Sequence, residues 1–248
     1  MSLTSTDTTG QPQSDKMSDF MITLRRHTRL VAFGAFVAGC LVASCASTPL
    51  RATDTRPLVP IGDAAVQVIA NGCRQVEVHG AGMMVAAGRV ATVAHVVAGA
   101  KTIQVRSPRG VTDATVVYID PVLDVAVLKV DPSIATPIPI GAAAPGNRGE
   151  VVVYRDDAPV TLPAQVQRLV NIQTADIHGN GKHIRPGYEL TLDIRAGDSG
   201  AVVVIANQAV ALVWATSREA KSRAWAMRAS LLEDHLGAST PVPTGECA

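Results

Sequence analysis

Three side chains of this 248-residue chain could together turn an alcohol into an attacking group: His95, Asp124 and Ser199, in that order. They stand in the phrases Thr92-Val93-Ala94-His95-Val96-Val97, Asp124-Val125-Ala126-Val127-Leu128 and Gly197-Asp198-Ser199-Gly200. A serine hydroxyl attacks poorly until a neutral imidazole takes its proton. The imidazole in turn keeps the right tautomer when a carboxylate accepts from its other nitrogen. Gly197, two places before Ser199, lets the backbone turn so that the N–H groups of Gly197 and Ser199 can meet a developing oxyanion. Positions 95 and 124 lie 29 residues apart and positions 124 and 199 lie 75 apart. That leaves room for hairpins between the first two and a crossing to a second half before the third. Histidine first also excludes the hydrolase order in which serine leads.

Such residues need a frame, and the sequence supplies short β-branched runs divided by turn residues. The runs are Val66 to Ala70, Arg74 to His79, Met83 to Ala86, Arg89 to Thr92, Thr102 to Arg106, Thr115 to Ile119 and Val125 to Val130. Proline-rich 131–149 reads as a crossing. A second set follows at Glu150 to Tyr154, Ala164 to Ile172, Tyr188 to Leu192, Ala201 to Ile205, Ala209 to Ala215 and Arg223 to Met227. Many short strands with frequent turns predict an all-β fold. Leu231, Leu232 and His235 at helical spacing predict a short C-terminal helix over 228–236, ended by Gly237.

Hydrophobic content of 47% is ample for buried cores, and with aromatics at 3% valine and alanine must fill them. A net charge of +1 with both signs interspersed gives no basic stripe, so no nucleic-acid partner is expected. His27, His79, His178, His183 and His235 show no metal spacing, and no cofactor or metal is called for.

The N-terminal region suggests export. Residues 1–29 are polar and then positively charged, with Arg25, Arg26 and Arg29 ahead of an apolar stretch over 30–46. That stretch is short for a membrane span. Cys40 and Cys45 each follow small residues as a lipidated cysteine would. Lipidation, cleavage near Ala46 and an uncleaved anchor are the three alternatives, and each places the rest of the chain outside the cytoplasm, tethered or released. Residues 47–60 read as a linker, and 61–248 as the folded domain, with one half over about 61–135 and the other over about 148–236.

The segment from Gly80 to Gly99 around His95, the segment Asp120-Pro-Val-Leu-Asp124-Val-Ala-Val-Leu and the segment Gly197 to Gly200 resemble the histidine, aspartate and serine blocks of trypsin-like, Deg/HtrA-type serine proteases. With Cys73 before the first block and Cys247 near the end, the sequence is more similar still to the periplasmic acid-resistance protease family of actinobacteria, known as MarP. The resemblance implies two six-stranded Greek-key barrels with the site in the cleft between them, here without a PDZ module. It implies hydrolysis of peptide bonds through an acyl-enzyme, with extended polypeptides as substrates and a role in envelope processing or stress response. It also implies that Val213, Trp214 and Ala215 form the substrate-binding edge; Asp193 has the spacing of an acid at the base of the specificity pocket, but Arg195 nearby and the rearranged pocket loops of Deg-like proteases favour a solvated or ion-paired aspartate. A Cys73–Cys247 bridge would close a 174-residue loop, which in the chain-entropy model stabilises by about 4 to 5 kcal/mol. Two free thiols are the alternative. Asp198 needs a partner, and a freed N-terminus near Pro60 is one candidate. Ala201 stands where the family usually has a second glycine, so a weakened or inactive peptide-binding relative is the competing reading, with an esterase third. Because a histidine acts as base only when neutral and free imidazole titrates near 6.5, activity is expected to fall below about pH 6 unless the site intervenes.

Overall fold

In Thr102–Ser107, Ile103, Val105 and Ser107 point inward and the residues between them outward, the alternation that lines a barrel. The computed structural model describes residues 58–72, 75–217 and 219–248. Its first six strands are β1 (Ala65–Asn71), β2 (Val78–Ala86), β3 (Arg89–Thr92), β4 (Thr102–Ser107), β5 (Gly110–Asp120) and β6 (Val125–Lys129). They close into a barrel in the order β1-β2-β3-β6-β5-β4, with β1 also paired to β4. The next six are β7 (Arg148–Arg155), β8 (Ala158–Thr174), β9 (His183–Thr191), β10 (Val202–Ile205), β11 (Gln208–Thr216) and β12 (Arg223–Arg228). They close likewise in the order β10-β11-β12-β9-β8-β7, with β10 paired to β7.

Valine and alanine fill both barrels. The first core runs continuously from Val66, Val90 and Leu128 into Tyr154, Leu212 and Leu232 of the second half, so the two barrels share a buried seam. A separate cluster around Val153, Leu190 and Val213 fills the second barrel. The seam also carries polar links. The buried Tyr154 hydroxyl donates to the Ala65 carbonyl (3.1 Å). Asp157, in the hairpin between β7 and β8, pairs with Arg106 at 2.7 Å.

Two local readings are corrected. Of the run expected at 74–79 only Val78 and His79 are strand, and they join the run at 83–86 in β2, which continues through Gly80 and Gly82, while Arg74 lies outside the described residues. Those glycines serve close approach: a Cβ on Gly80 would collide with Val96, and one on Gly82 with the Ala91 carbonyl. The C-terminal helix is a 3-10 helix, Ala229–His235, with Ala229 and Leu232 buried. His235 stacks on Tyr118 with ring centres 3.6 Å apart. Among the described residues no helix is long and apolar enough to cross a membrane. Cys40, Cys45 and the rest of the expected export segment lie outside the described residues.

Candidate active site

The turn between β5 and β6 is built to present a carboxylate. Asp120 Oδ1 accepts from the N–H groups of Val122 (2.8 Å) and Leu123 (2.9 Å). The turn ends with Asp124 at a left-handed φ of 59°, a conformation that aspartate tolerates better than most residues. Asp124 is 2% exposed. Its Oδ1 accepts from the His95 backbone N–H (2.9 Å), and its Oδ2 lies 2.8 Å from His95 Nδ1. His95 itself sits on a single helical turn, Ala94–Val97, whose other residues are buried. Two bonds from one carboxylate fix both the backbone and the ring of His95. With Nδ1 engaged, Nε2 is the nitrogen left for a hydroxyl proton.

Ser199 reaches the same place through its backbone. Its carbonyl accepts from Ala81 N–H of β2 at 2.7 Å, while the Gly200 N–H donates to the Val213 carbonyl at 2.8 Å. A Cβ on Gly80 would lie 3.0 Å from the Ser199 carbonyl oxygen and closer still to Val96, the residue after His95. Gly80 therefore lets the histidine turn and the serine loop crowd against one strand. Gly200, at φ 88°, lies so close to the Ala81 carbonyl that any side chain there would overlap it. Thr92, fully buried, donates to that same carbonyl (2.8 Å). Among the described residues no hydrogen bond joins the Ser199 hydroxyl to the imidazole, whose Nδ1 is held by Asp124.

Gly197 has a φ of 95° with open space where a Cβ would be. The loop it begins is held by Asp198, which is 1% exposed. Asp198 Oδ2 accepts from the Arg195 backbone N–H (2.9 Å) and from Arg155 Nη2 (3.0 Å). The partner that Asp198 needs is thus a guanidinium from the end of β7, and no freed amine is required to satisfy it. Ala201 is fully buried in the second core, and its N–H donates to the Asp198 carbonyl (3.1 Å). Its methyl packs as a core group.

Val213, Trp214 and Ala215 lie on β11 beyond its last pairing with β10, which ends at Leu212 and Val202. The β11–β12 register shifts between Val213 and Ala215, leaving Trp214 in a bulge. Val213 is buried and its N–H donates to the Ala201 carbonyl (2.8 Å). Trp214 and Ala215 are partly exposed. Asp193 is exposed between buried Leu192 and Ile194, as a solvated aspartate is. It makes no ion pair with Arg195 among the described residues. Cys247 is disulfide-bonded, and Cys73 lies outside the described residues. The tail before Cys247 straps the turn that follows His95: Gly99 N–H donates to the Thr244 carbonyl (3.1 Å) and Thr244 Oγ1 to the Ala100 carbonyl (2.9 Å).

Two residues of this site carry no sequence signal. Arg155 and Arg185 look like any other arginine in the chain, and only the fold brings them to buried carboxylates.

Residues 80–212 match the model of the trypsin-like peptidase domain. Serine protease Rv3671c of Mycobacterium tuberculosis is 30% identical over 213 residues, 81% of this chain and 53% of that protein. The chain thus spans about half the length of the curated relatives it matches. The crystal structure of the active form of the Rv3671c protease superposes with a TM-score of 0.67 at 27% identity, covering 80% of this chain and 98% of that one. An HtrA-type protease, AlgW with a decapeptide, shares the fold at 18% identity and a TM-score of 0.57, covering 68% of this chain and 62% of that one. The chain belongs to the trypsin-like peptidase family.

Proposed function

We propose that the chain is a serine endopeptidase in which Ser199 is the nucleophile, His95 the general base and acid, and Asp124 the group that orients and charges the imidazole. The observation that carries this reading is the double acceptance of His95 by one buried carboxylate, through its backbone N–H and through Nδ1. In the first half-reaction Ser199 Oγ attacks the scissile carbonyl carbon and passes its proton to His95 Nε2. The carbonyl oxygen becomes an oxyanion facing the N–H groups of Gly197 and Ser199. His95 then gives that proton to the leaving amine as the C–N bond breaks. Water repeats the sequence on the acyl-enzyme, its proton returning through His95 to Ser199.

The substrate reading is an extended polypeptide lying along the Val213-Trp214-Ala215 segment, where β11 runs past Gly200 and Ala201, the partners of Val213, so that Trp214 and Ala215 can add a strand. The export-like N-terminal region supports action outside the cytoplasm, with the domain tethered to a membrane by a lipid on Cys40 or Cys45 or by an apolar anchor. Envelope proteins are the corresponding substrates, in processing or in stress response, and a Cys73–Cys247 bridge suits that compartment. Hydrolysis of an unfolded protein such as casein by the wild-type chain, with losses of a thousandfold or more in Ser199→Ala and in His95→Ala, is the expected result. Casein turnover that survives Ser199→Ala would refute it.

A further inference from the structure

Arg185 is 2% exposed, and its side chain, carried by β9 of the second barrel, reaches the turn between β5 and β6 of the first. Its Nε donates to the Val122 carbonyl at 2.7 Å and its Nη2 to the Ala175 carbonyl at 3.0 Å. The remaining nitrogen, Nη1, lies 3.6 Å from Asp124 Oδ2, the oxygen that also meets His95 Nδ1. The guanidinium carbon sits 4.9 Å from the centre of the Trp214 ring. One buried cation thus touches the turn that carries Asp124, the Asp124 carboxylate and the tryptophan of the substrate edge. We infer that Arg185 is a positioning residue of the His95–Asp124 pair, fixing the Asp124 carboxylate and sharing its charge with the imidazole. This rests on the assignment of His95 as base made above.

The physical case is a balance of charges in a place that water does not reach. Burying an arginine without partners is costly, and a planar fork with three oxygen neighbours and an aromatic face satisfies it. Burial pulls the Arg185 guanidinium below its usual range, and Asp124, Asp120 and Asp176 push it back up, so it remains a cation. The groups facing it are therefore three carboxylates, on the β5–β6 turn and on the loop after β8, with His178 beside Asp176. A carboxylate with only an imidazole partner favours the imidazolium strongly. One that also faces a guanidinium favours it less, and the imidazole gives up its proton at lower pH.

The test is the pH profile of kcat/KM for a peptide substrate in wild type, Arg185→Gln and Arg185→Lys. Each is normalised to active sites titrated with a fluorophosphonate. Gln keeps a donor and loses the charge, and its acid limb is expected to move up by about one pH unit. Lys keeps the charge, and its limb is expected to stay near that of wild type. An unmoved limb in folded Arg185→Gln overturns the inference, as does an equal upward move in Arg185→Lys. Should Arg185→Gln not fold, Asp176→Asn reads the same link from the other side. Removing a carboxylate leaves Arg185 less offset, so the limb should move down by a few tenths of a unit, and an unmoved limb again overturns the inference. A wild-type chain that never reacts with the fluorophosphonate would instead refute the proposed function.

Discussion

The Arg155 guanidinium meets the carboxylate of Asp198, the residue before Ser199, at 3.0 Å, and the two belong to elements 43 residues apart in sequence. Asp198 is almost wholly buried and Arg155 is about three-quarters covered. The loop that carries Ser199 is therefore locked from inside the domain. Two residues on, Asp157 pairs with Arg106 of the first barrel, so the end of β7 and its hairpin link the serine loop to the other half of the molecule.

Arg155→Met should leave a buried carboxylate with one backbone donor in place of two partners. The expected loss is on the order of 2 to 4 kcal/mol, below the fully buried case because Arg155 is partly solvated. Urea denaturation reads it, and Arg155→Met combined with Asp198→Asn should recover most of it. Acylation by an ester substrate should slow in the single variant, since the proposed oxyanion donors, Gly197 and Ser199 N–H, lose their support.

Gly200→Ala should abolish acylation. The added methyl overlaps the Ala81 carbonyl, and the φ of 88° is one that alanine resists. Gly146→Ala is the matched control, with a φ of 87° and open space around a Cβ. It should cost about 1 to 2 kcal/mol of stability and leave acylation intact. Active-site titration of the two proteins separates the effects.

Asp120→Ala removes the acceptor of two N–H groups in the turn that carries Asp124. A misplaced Asp124 releases His95, so kcat/KM should fall ten- to a hundredfold with the domain still folded, as checked by circular dichroism. Asp120→Asn, which keeps an acceptor oxygen, should lose less.

Burial pushes the Tyr154 phenol up to about 12, only partly countered by Arg106. A folded-state value above the ordinary 10 means that the neutral phenol is the one the fold retains. Its contribution is thus whole below pH 10 and is lost as pH rises from 10 through 12, on the order of 3 kcal/mol in all. Tyr154→Phe should flatten this alkaline decline in thermal melts, while losing about 1 kcal/mol at neutral pH with the bond to the Ala65 carbonyl.

How much of this was legible beforehand follows from the range of the interactions. The strands are legible because short β-branched runs are divided by turn residues, a local signal that survives without any knowledge of neighbours. His95, Asp124 and Ser199 could be read because each sits in a phrase whose small residues the geometry demands, as Gly200 against Ala81 illustrates. The continuity of β2 is hidden in the sequence, where Gly80 and Gly82 look like breakers until the crowding of Val96 and Ala91 is seen. The C-terminal turn was read as an ordinary helix because 3-10 and α spacings differ little over seven residues. Arg155 and Arg185 gave no warning at all, since an arginine that ends buried against a carboxylate in another barrel has the same neighbours in sequence as one facing solvent. Asp193 was placed by analogy of spacing, and its exposure depends on how the loop before Gly197 runs.

The most direct measurement is the mass of the protein after reaction with a fluorophosphonate, with the adduct located by peptide mapping. One adduct is expected, on Ser199, formed at neutral pH and lost in both Ser199→Ala and His95→Ala. A folded chain that takes up no reagent, or carries it on another residue, would contradict the assignment of Ser199 and His95 as an activated pair.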